Sequence, residues 1–416
     1  MGERRMTTGK WRSNRLDELG SSIFAEVIQW KKQARASGMD VIDLDIGSPD
    51  KPPSDAVMQA LGDAALRPNQ YGYMGTRGSD AFRSTAAEWM AFRFGVQVDA
   101  ESEMLSLMGS QDGLAHLAMA VCNSGDEVLL PNPGYPIYAG SLAIAGVKPI
   151  FYPLTAAGGF LPDVKAITEE EWRRARFILL NYPGNPVSAV ADMALFDKVL
   201  DKARKYDVLV INDAAYSEMA FDGFEPPSIL AVDGAMERAI EIHSLSKSFN
   251  MAGCRIGFVT GNREAVGALR ELKDNIDYGI FAAVQEAGVA ALKEAMSKAA
   301  PPKVGQLYER RRDVFIEALR AGGWQVEKPK ATMFIWAALP AMEWTHPDGP
   351  WTSRLIAREL LEQTGVAVIP GEAFGSEGEG YVRLALVVDE ARLLEAAERI
   401  GRFIRGEARV HQRSTT

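Results

Sequence analysis

The sequence contains few cysteines and histidines, two and four respectively among 416 residues. Cys122 and Cys254 each lie in an apolar stretch, which predicts reduced, buried thiols in a cytoplasmic protein rather than a disulfide framework. The histidines show no spacing typical of metal ligands, so we expect no metal site. No apolar run reaches the ~18–20 residues needed to cross a membrane, and no apolar segment follows the basic N-terminal residues. We therefore expect neither a membrane span nor a secretory signal.

The sequence also has fewer basic than acidic residues. The 46 lysines and arginines face 55 aspartates and glutamates, and the net charge is −9. An acidic chain of this kind lacks the basic surface that attracts nucleic acids and anionic membranes. Hydrophobic residues make up 47% of the chain and charged residues 24%, which is typical of a globular protein with a large core. We expect small-molecule partners, and neither nucleic acid nor a membrane.

Short apolar runs alternate with amphipathic stretches over the first two thirds of the chain. These runs predict seven strands: 104–108, 127–130, 149–152, 177–180, 208–211, 240–243 and 256–260. Between several of them lie stretches, such as 112–121 and 192–206, that are long enough for the helices connecting parallel strands. The pattern predicts an α/β fold in which helices cover both faces of a mostly parallel seven-stranded sheet.

The pattern changes after about residue 290. This later part predicts helices and strands of its own: helices 304–321, 351–363 and 390–404, and strands 333–336, 366–369 and 381–387. We expect a large domain over 46–290 and a smaller α+β domain over 291–416. An N-terminal segment, residues 1–45, is expected to pack with the smaller domain.

The segment 243–250 concentrates polar side chains directly after a predicted strand. Ser244 and Ser246 precede Lys247, and Arg255 follows eight residues after the lysine. Hydroxyls and a guanidinium are suited to binding phosphate, and a lysine amine is a nucleophile for a carbonyl carbon. A short Ser-x-Ser-Lys sequence is also typical of a solvated loop. Its interpretation therefore depends on the residues that accompany it.

Other polar side chains follow the ends of predicted strands, where ligands bind in open α/β sheets. Asp213 follows the strand 208–211, and it could either pair with a ring nitrogen or cap a helix. Tyr216, three residues later, supplies a phenol that could reach the same ligand. Asn185 follows the strand 177–180 in a turn rich in proline and glycine, where its amide could donate to a ring oxygen.

Three further candidates lie in other loops and strands. Ser110 and Gln111 follow the strand 104–108 in a turn that opens a helix and offers backbone N–H groups to an anion. Tyr135, in Asn-Pro-Gly-Tyr-Pro, could stack on a flat heterocycle or pack as a surface tyrosine of a turn. Arg383, in an alternating strand, could bind a carboxylate through its planar fork or form a salt bridge at the rim.

Taken together, the order and spacing of these motifs resemble the pyridoxal-phosphate-dependent aminotransferases of class I and II, which share fold type I with aspartate aminotransferase. The resemblance covers nearly the whole chain, from Asp45-Ile46-Gly47-Ser48-Pro49-Asp50 to the strand of Arg383. It implies a large sheet-containing domain with a smaller companion. It also implies that pyridoxal 5′-phosphate is the cofactor, and that an amino group moves between an α-amino acid and a 2-oxo acid.

The resemblance also implies a role for each residue of the site. Lys247 is the catalytic residue, which binds the cofactor covalently and moves a proton between the substrate Cα and the cofactor C4′. Asp213 is the partner of the pyridine nitrogen. Tyr216 and Asn185 bond the phenolic oxygen of the cofactor, and Tyr135 stacks on its ring. The residues that hold the phosphate are Ser110, Gln111, Ser244, Ser246 and Arg255. Arg383 and Asn185 take the substrate α-carboxylate, and Gly47 lines that pocket.

Enzymes of this family are homodimers with the sites at the interface, so the resemblance implies a second copy of the chain as partner. Tyr73, in Tyr71-Gly72-Tyr73-Met74-Gly75, matches the tyrosine that reaches the phosphate of the neighbouring subunit. The N-terminal segment, with Phe24, is expected to fold over the site together with the smaller domain and to close it.

Within the family, four phrases are most similar to LL-diaminopimelate aminotransferases and their bacterial relatives: Ser22–Glu26, Pro131–Tyr135, Ser246–Gly253 and Asn275–Phe281. The sequence departs from that group at Gln111, where lysine is usual, and at Ala282, where an amide is usual. Arg15, Arg77 and Lys273 are candidates for binding a distal substrate carboxylate. The substrate side chain therefore stays open, and a pyridoxal-phosphate-dependent C–S lyase of the same fold is the alternative function.

Overall fold

The computed structural model describes residues 11–13, 15–19, 23–297 and 304–407. Residues 1–10 and 408–416, which carry several of the basic residues near the two ends, lie outside this description. The strands of the described residues are, in chain order, β1 (Ile42–Asp43), β2 (Met104–Leu107), β3 (Glu127–Asn132), β4 (Lys148–Pro153), β5 (Ala175–Asn181), β6 (Leu209–Asp213), β7 (Ala239–Ser244), β8 (Gly257–Gly261), β9 (Phe334–Ala338), β10 (Val366–Ala367), β11 (Ile369–Pro370) and β12 (Tyr381–Ala385).

The α-helices of the same residues connect and cover these strands. They are α1 (Arg15–Glu18), α2 (Ile23–Ala36), α3 (Asp55–Ala65), α4 (Asp80–Phe94), α5 (Ser110–Val121), α6 (Ile137–Ala145), α7 (Glu169–Arg174), α8 (Met193–Tyr206), α9 (Leu245–Ser248), α10 (Arg263–Lys273), α11 (Ala282–Ser297), α12 (Val304–Ala321), α13 (Ser353–Thr364) and α14 (Glu390–Ile404). None of the helices in the described ranges is long and apolar enough to cross a membrane.

The central sheet has seven strands in the order β2-β8-β7-β6-β5-β3-β4. Only β8 runs antiparallel to its two neighbours, β2 and β7, and the other pairings are parallel. The predicted α/β class and the mostly parallel seven-stranded sheet are therefore confirmed. The predicted strand ends differ from the observed ends by a residue or two: most observed strands extend past the apolar run, whereas β2 ends one residue earlier.

Helices cover both faces of this sheet, as its apolar strands require. On one face α4, α8 and α11 bury large side chains such as Trp89 and Phe196 against the strands. On the other face α5, α6 and α10 contribute a second apolar cluster with Leu117 and Leu269. The parallel order brings the carboxyl ends of β5, β6 and β7 to one edge, where the predicted polar side chains follow.

Local signals define the helix that precedes the sheet. Ser79 accepts a hydrogen bond from the backbone N–H of Phe82 and begins α4. Gly95 ends the same helix in a left-handed conformation, with φ 69°. The ends of this helix are thus determined by residues adjacent to it in sequence.

The C-terminal part has a separate apolar core, in which α12 and α14 pack beside the antiparallel sheet β11-β12-β9. Strand β1 pairs with β10, and α2 packs on α13, so the N-terminal segment contacts this part. The predicted strand 366–369 is divided into β10 and β11, which pair in different sheets. Helix α11 runs through residue 290, where the sequence places the domain boundary, and the division into domains stays a prediction.

The predicted burial of the two thiols is wrong. Cys122 and Cys254 are free and only half-buried. Cys122 caps the C-terminal end of α5, and Cys254 ends a short 3₁₀ turn. At such ends the chain leaves the core, so an apolar neighbourhood in sequence does not bury the side chain.

Candidate active site

A cavity of about 280 Å³ lies at the carboxyl ends of the central strands. It brings together thirteen side chains or backbone positions that the sequence predicts: Phe24, Gly47, Ser110, Gln111, Tyr135, Asn185, Asp213, Tyr216, Ser244, Ser246, Lys247, Arg255 and Arg383. Seven further residues complete the lining: Asp45, Ile46, Leu114, Tyr138, Asn181, Ala215 and Phe334. The predicted candidates are thus neighbours in space although they span most of the chain.

One end of the cavity offers hydrogen-bond donors and a positive charge to an anion. Helix α5 begins at Ser110 after Gly109, whose φ of 76° suits glycine. A Cβ atom at Gly109 would lie 2.5 Å from Arg255 Nη2, and one at Gly257 would lie 3.2 Å from the backbone nitrogen of Ser110. Arg255 Nη1 donates to Ser246 Oγ over 3.4 Å. Two glycines therefore let a helix N-terminus, a hydroxyl and a guanidinium converge.

The acid of the site is Asp213, the last residue of β6. Its Oδ2 accepts a hydrogen bond from Tyr138 Oη over 2.8 Å, and its Oδ1 accepts one from the backbone N–H of Ala215 over 3.2 Å. Burial raises the pKa of Asp213 to about 6, although these hydrogen bonds act in the opposite direction. A carboxylate in this position is suited to a cationic partner.

Lys247 lies in the single turn α9, directly after β7. Its Nζ donates a hydrogen bond to the backbone oxygen of Gly47. Burial, together with the positive charges of Arg383 and Arg255, lowers the pKa of Lys247 to about 8. A sizeable fraction of this amine is therefore neutral near physiological pH and able to act as a nucleophile or a base.

Arg383 forms a second anion-binding position, opposite the first. Its Nη1 donates to Asn185 Oδ1 over 2.8 Å, and its Nη2 donates to the backbone oxygen of Asp45 over 2.7 Å. The guanidinium carbon lies 4.1 Å from the ring centre of Phe334 and 4.8 Å from that of Phe374. Burial lowers the pKa of Arg383 to about 10, so it stays charged at neutral pH. Within the described residues its buried Nε has no hydrogen-bond partner.

Two tyrosines, Tyr135 and Tyr216, also line the cavity. Tyr135 Oη donates to Gln111 Oε1 over 3.2 Å, and its ring meets that of Tyr138 edge to face at 5.8 Å. Tyr216 is buried against Phe334, with ring centres 5.7 Å apart. Burial raises the pKa of both Tyr135 and Tyr216, so each keeps its proton and is able to donate a hydrogen bond.

Of the residues predicted to bind the cofactor, Tyr73 does not line the cavity formed by the described residues of its own chain. Its side chain is 88% exposed, and its ring lies 5.1 Å from that of Tyr278. Beside it, the exposed rings of Tyr71 and Phe281 pack at 5.4 Å. These four side chains form an exposed aromatic face.

The three candidates for a distal carboxylate site also lie elsewhere. None of them lines the cavity formed by the described residues. Arg77 pairs with Glu101 at 2.7 Å, and Arg15 is exposed on α1. Lys273 is buried and paired with two carboxylates of its own.

Tyr138 and Phe334 are among the lining residues that were not predicted from the sequence. Tyr138 lies in the first turn of α6, three residues after Tyr135, which precedes the helix. Phe334 lies within a predicted strand, but its contact with Gly47 joins residues far apart in the chain. A Cβ atom at Gly47 would lie 2.2 Å from the Phe334 ring, so only glycine fits there.

The arrangement as a whole has a defined chemistry. Donors for an anion lie at one end, a buried carboxylate accepts a cation, an amine of lowered pKa stands beside them, and a guanidinium offers a second anion position. Within the described ranges, no group of three or more His, Cys, Asp or Glu side chains is arranged to hold a metal ion. Such a set is suited to a planar phosphorylated ligand together with an amino acid.

Comparisons with known proteins agree with this geometry. The family model for aminotransferase class I and II matches residues 39–400. An LL-diaminopimelate aminotransferase of Desulforudis audaxviator is 43% identical over 93% of this chain and 96% of its own length. One from Moorella thermoacetica is 41% identical over 94% of this chain and 98% of its own.

Solved structures of similar proteins have the same fold. A probable N-succinyldiaminopimelate aminotransferase from Thermus thermophilus is 40% identical, with a TM-score of 0.85 over 91% of this chain and 99% of its own. Substrate-bound BacF from Bacillus subtilis is 33% identical, with a TM-score of 0.88 over 95% of this chain and 98% of its own.

Proposed function

Since the chain belongs to the aminotransferase class I and II family, we propose that it moves an amino group from LL-diaminopimelate, or a related α-amino acid, to a 2-oxo acid. Amino transfer is the activity that the names of its family and of these relatives state, and pyridoxal phosphate is the cofactor that we propose for it. The donor amino acid and the roles of single residues are the proposal. The observation that carries it is the convergence of Lys247, Asp213 and Arg383 on one cavity.

The cavity fits pyridoxal phosphate by its donor set. The backbone of α5 at Ser110, the serine hydroxyls and Arg255 would hold the phosphate, because glycines leave room for them to meet. Asp213 would hold the ring nitrogen, and Tyr135 would lie against the ring. Asn185 accepts from Arg383 through its oxygen, so its Nδ2 is the atom that would donate to the ring oxygen, with the phenol of Tyr216 as a second donor.

When bound, pyridoxal phosphate supplies a carbonyl group that condenses with amines and a protonated ring that withdraws electrons from the substrate Cα. Lys247 Nζ is the base that takes the proton from the substrate Cα, and its lowered pKa keeps part of it neutral for this step. The ionised Asp213 keeps the proton on the ring nitrogen. Arg383 orients the amino acid by its carboxylate, so that the Cα–H bond faces the lysine.

Replacing Arg383 by lysine is expected to raise the KM for every amino-acid donor by about a hundredfold, because an ammonium group cannot reproduce the planar two-point bond to a carboxylate. Visible absorption of the bound cofactor should be unchanged. Steady-state kinetics with several donors measures the effect. Arg358→Lys, an exposed arginine on α13 that bonds Glu362, is the matched control. An unchanged KM would place the carboxylate elsewhere.

We also propose that the active form is a homodimer. In it the exposed aromatic face contacts a second copy of the chain, and Tyr73 contributes to the partner's site. This predicts complementation between two defective chains, Lys247→Ala and Tyr73→Ala. In a hybrid dimer one site carries both changes and the other carries neither. Random mixing of equal amounts of the two chains should leave roughly one quarter of all sites intact, because half of the dimers are hybrids and each hybrid has one intact site.

The complementation is measured as activity at limiting pyridoxal phosphate, where loss of a phosphate contact is most visible. Mixing either variant with itself gives the baseline. An affinity tag on one variant, with co-purification of the untagged variant, confirms that subunits have exchanged. Activity that stays at the baseline after exchange would contradict a shared site.

The donor is identified with purified enzyme, pyridoxal phosphate and a panel of amino acids that includes LL-diaminopimelate, aspartate, alanine, glutamate and aromatic amino acids. 2-Oxoglutarate and pyruvate serve as acceptors. We expect LL-diaminopimelate or a related diamino acid to give the highest kcat/KM. Release of pyruvate and ammonia without amino transfer would favour the lyase alternative.

The division into a large domain over 46–290 and a smaller domain over 291–416 belongs to the same proposal, with Phe24 and the N-terminal segment closing the site. The separate apolar core around α12 and α14 and the pairing of β1 with β10 support it. The cytoplasmic location stays a prediction.

A further inference from the structure

Lys273 holds a buried positive charge beside the cavity rather than within it. It is the last residue of α10, and its side chain is 1% exposed. Its Nζ lies 2.6 Å from Asp112 Oδ2 and 2.6 Å from Asp277 Oδ2. Burying charges in this way is costly unless they are paired, so the three side chains depend on one another.

Asp112 connects this group to the anion-binding end of the cavity. It lies in the first turn of α5, the helix that begins with Ser110 and Gln111. Its Oδ2 accepts the backbone N–H of Met108 over 2.9 Å, and its Oδ1 lies 2.9 Å from His116 Nδ1. The carboxylate therefore fixes both sides of the turn that carries the two candidate phosphate residues.

The charge of Asp112 presents an electrostatic difficulty. Burial acts to raise its pKa, but hydrogen bonds from His116 and Lys273 outweigh burial and lower it, so the group is ionised at neutral pH. A buried negative charge in the first turn of α5 would repel a phosphate dianion at the same helix end. Lys273 compensates that charge directly.

Asp277 keeps the ammonium group of Lys273 in place. Its Oδ1 accepts the backbone N–H of Gly279 over 2.9 Å. Gly279 in turn lies against the backbone of Gly75, where a Cβ atom would be 2.2 Å from the carbonyl oxygen. The lysine is thus held from one side by a packed loop, and its charge is directed at the turn that begins α5.

We propose that Lys273 is a positioning residue of the phosphate site: its ammonium group pairs with Asp112 in the first turn of α5, offsets the charge of that carboxylate and thereby permits a phosphate dianion to bind at the turn of Ser110 and Gln111. This inference rests on the proposed function, because it assumes that the turn receives the cofactor phosphate. It assigns to Lys273 a role distinct from contact with the substrate.

The test is a double-mutant cycle on the full-length apoprotein with three probes: pyridoxal phosphate, pyridoxal and inorganic phosphate. Lys273→Met should weaken binding of pyridoxal phosphate and of inorganic phosphate by at least about tenfold, because it leaves Asp112 uncompensated. Binding of pyridoxal, which lacks the phosphate, should not change. Adding Asp112→Asn to Lys273→Met should restore pyridoxal phosphate binding to within about threefold of the wild type.

A merely structural lysine would give a different pattern. Equal losses for pyridoxal and pyridoxal phosphate, or no recovery in the double variant, would overturn the inference. Should Lys273→Met fail to fold, the double variant is compared with Asp112→Asn alone, and a tenfold difference in phosphate affinity between them would overturn it as well. Lys198→Met, an exposed lysine on α8, is the matched control.

The same titrations separate this inference from the proposed function. A wild-type protein that binds no pyridoxal phosphate contradicts the proposed function itself. If the wild-type protein binds pyridoxal phosphate and Lys273→Met binds it with unchanged affinity, only the role of Lys273 is overturned.

Discussion

Replacing Lys247 by alanine is expected to reduce the rate of amino transfer by about 10⁴-fold, the upper range for loss of a positioned acid–base group. The reason lies in the position of this one amine. Lys247 lines the cavity together with Asp213 and Arg383, its pKa is lowered to about 8, and its Nζ donates to the backbone oxygen of Gly47. Among the residues lining the cavity, it is the only lysine.

The variant should keep its fold, because the lysine contributes a hydrogen bond and no packed apolar surface. Circular dichroism and thermal unfolding measure this. A small primary amine such as methylamine, added to the variant, should restore part of the proton transfer, since it supplies the missing base. Amino transfer at the wild-type rate would refute the assignment of Lys247, and Lys198→Met provides the control for loss of a lysine at an exposed position.

Replacing Asp213 by asparagine should have opposite effects on stability and on activity. Burial raises the pKa of the carboxyl from 3.8 to about 6, so its contribution to stability is complete below pH 3.8 and is lost as the pH rises through about 6. At pH 8 the apoprotein therefore holds a buried, uncompensated carboxylate. The asparagine variant of the apoprotein should be more stable there by on the order of 2 kcal/mol, and the difference should vanish below pH 4.

Activity should change in the other direction. Without the carboxylate the ring nitrogen of the cofactor loses the partner that keeps it protonated, and amino transfer should fall by about 10³-fold. Urea unfolding of the apoproteins between pH 4 and pH 8, together with single-turnover rates, measures both effects. Asp201→Asn, an exposed aspartate on α8, should change neither. A variant that is less stable than the wild type at pH 8, or equally active, would contradict this role.

Local sequence was sufficient to predict the central sheet, because strands buried on both faces appear as short apolar runs. The ends of α4 are also determined locally, by Ser79 and Gly95. Local sequence failed at residues 366–369, since β10 pairs with β1 and β11 pairs with β12, and no local signal specifies two distant partners. It failed for the burial of Cys122 and Cys254 because burial there depends on where each helical turn ends.

The same distinction between local and distant contacts applies to the residues of the candidate site. Residues that follow strands, such as Asp213 and Lys247, were found because their positions at the sheet edge follow from the order of elements. Tyr138 was not assigned to the site, and Lys273 was considered only for a distal substrate carboxylate, since their partners, Asp213 and Asp112, lie 75 and 161 residues away. Such contacts are fixed by packing of α6 and α10 on the sheet, which a linear pattern does not specify.

The central claim is that this cavity binds pyridoxal phosphate through Lys247 and carries out amino transfer. The most direct measurement is the visible absorption spectrum of the purified protein with pyridoxal phosphate, followed by addition of an amino acid and then of a 2-oxo acid. We predict a visible band of bound cofactor that the donor amino acid bleaches and the 2-oxo acid restores, with no such band in Lys247→Ala before an amine is added. A wild-type protein without this band, or a band that no amino acid bleaches, would contradict the account.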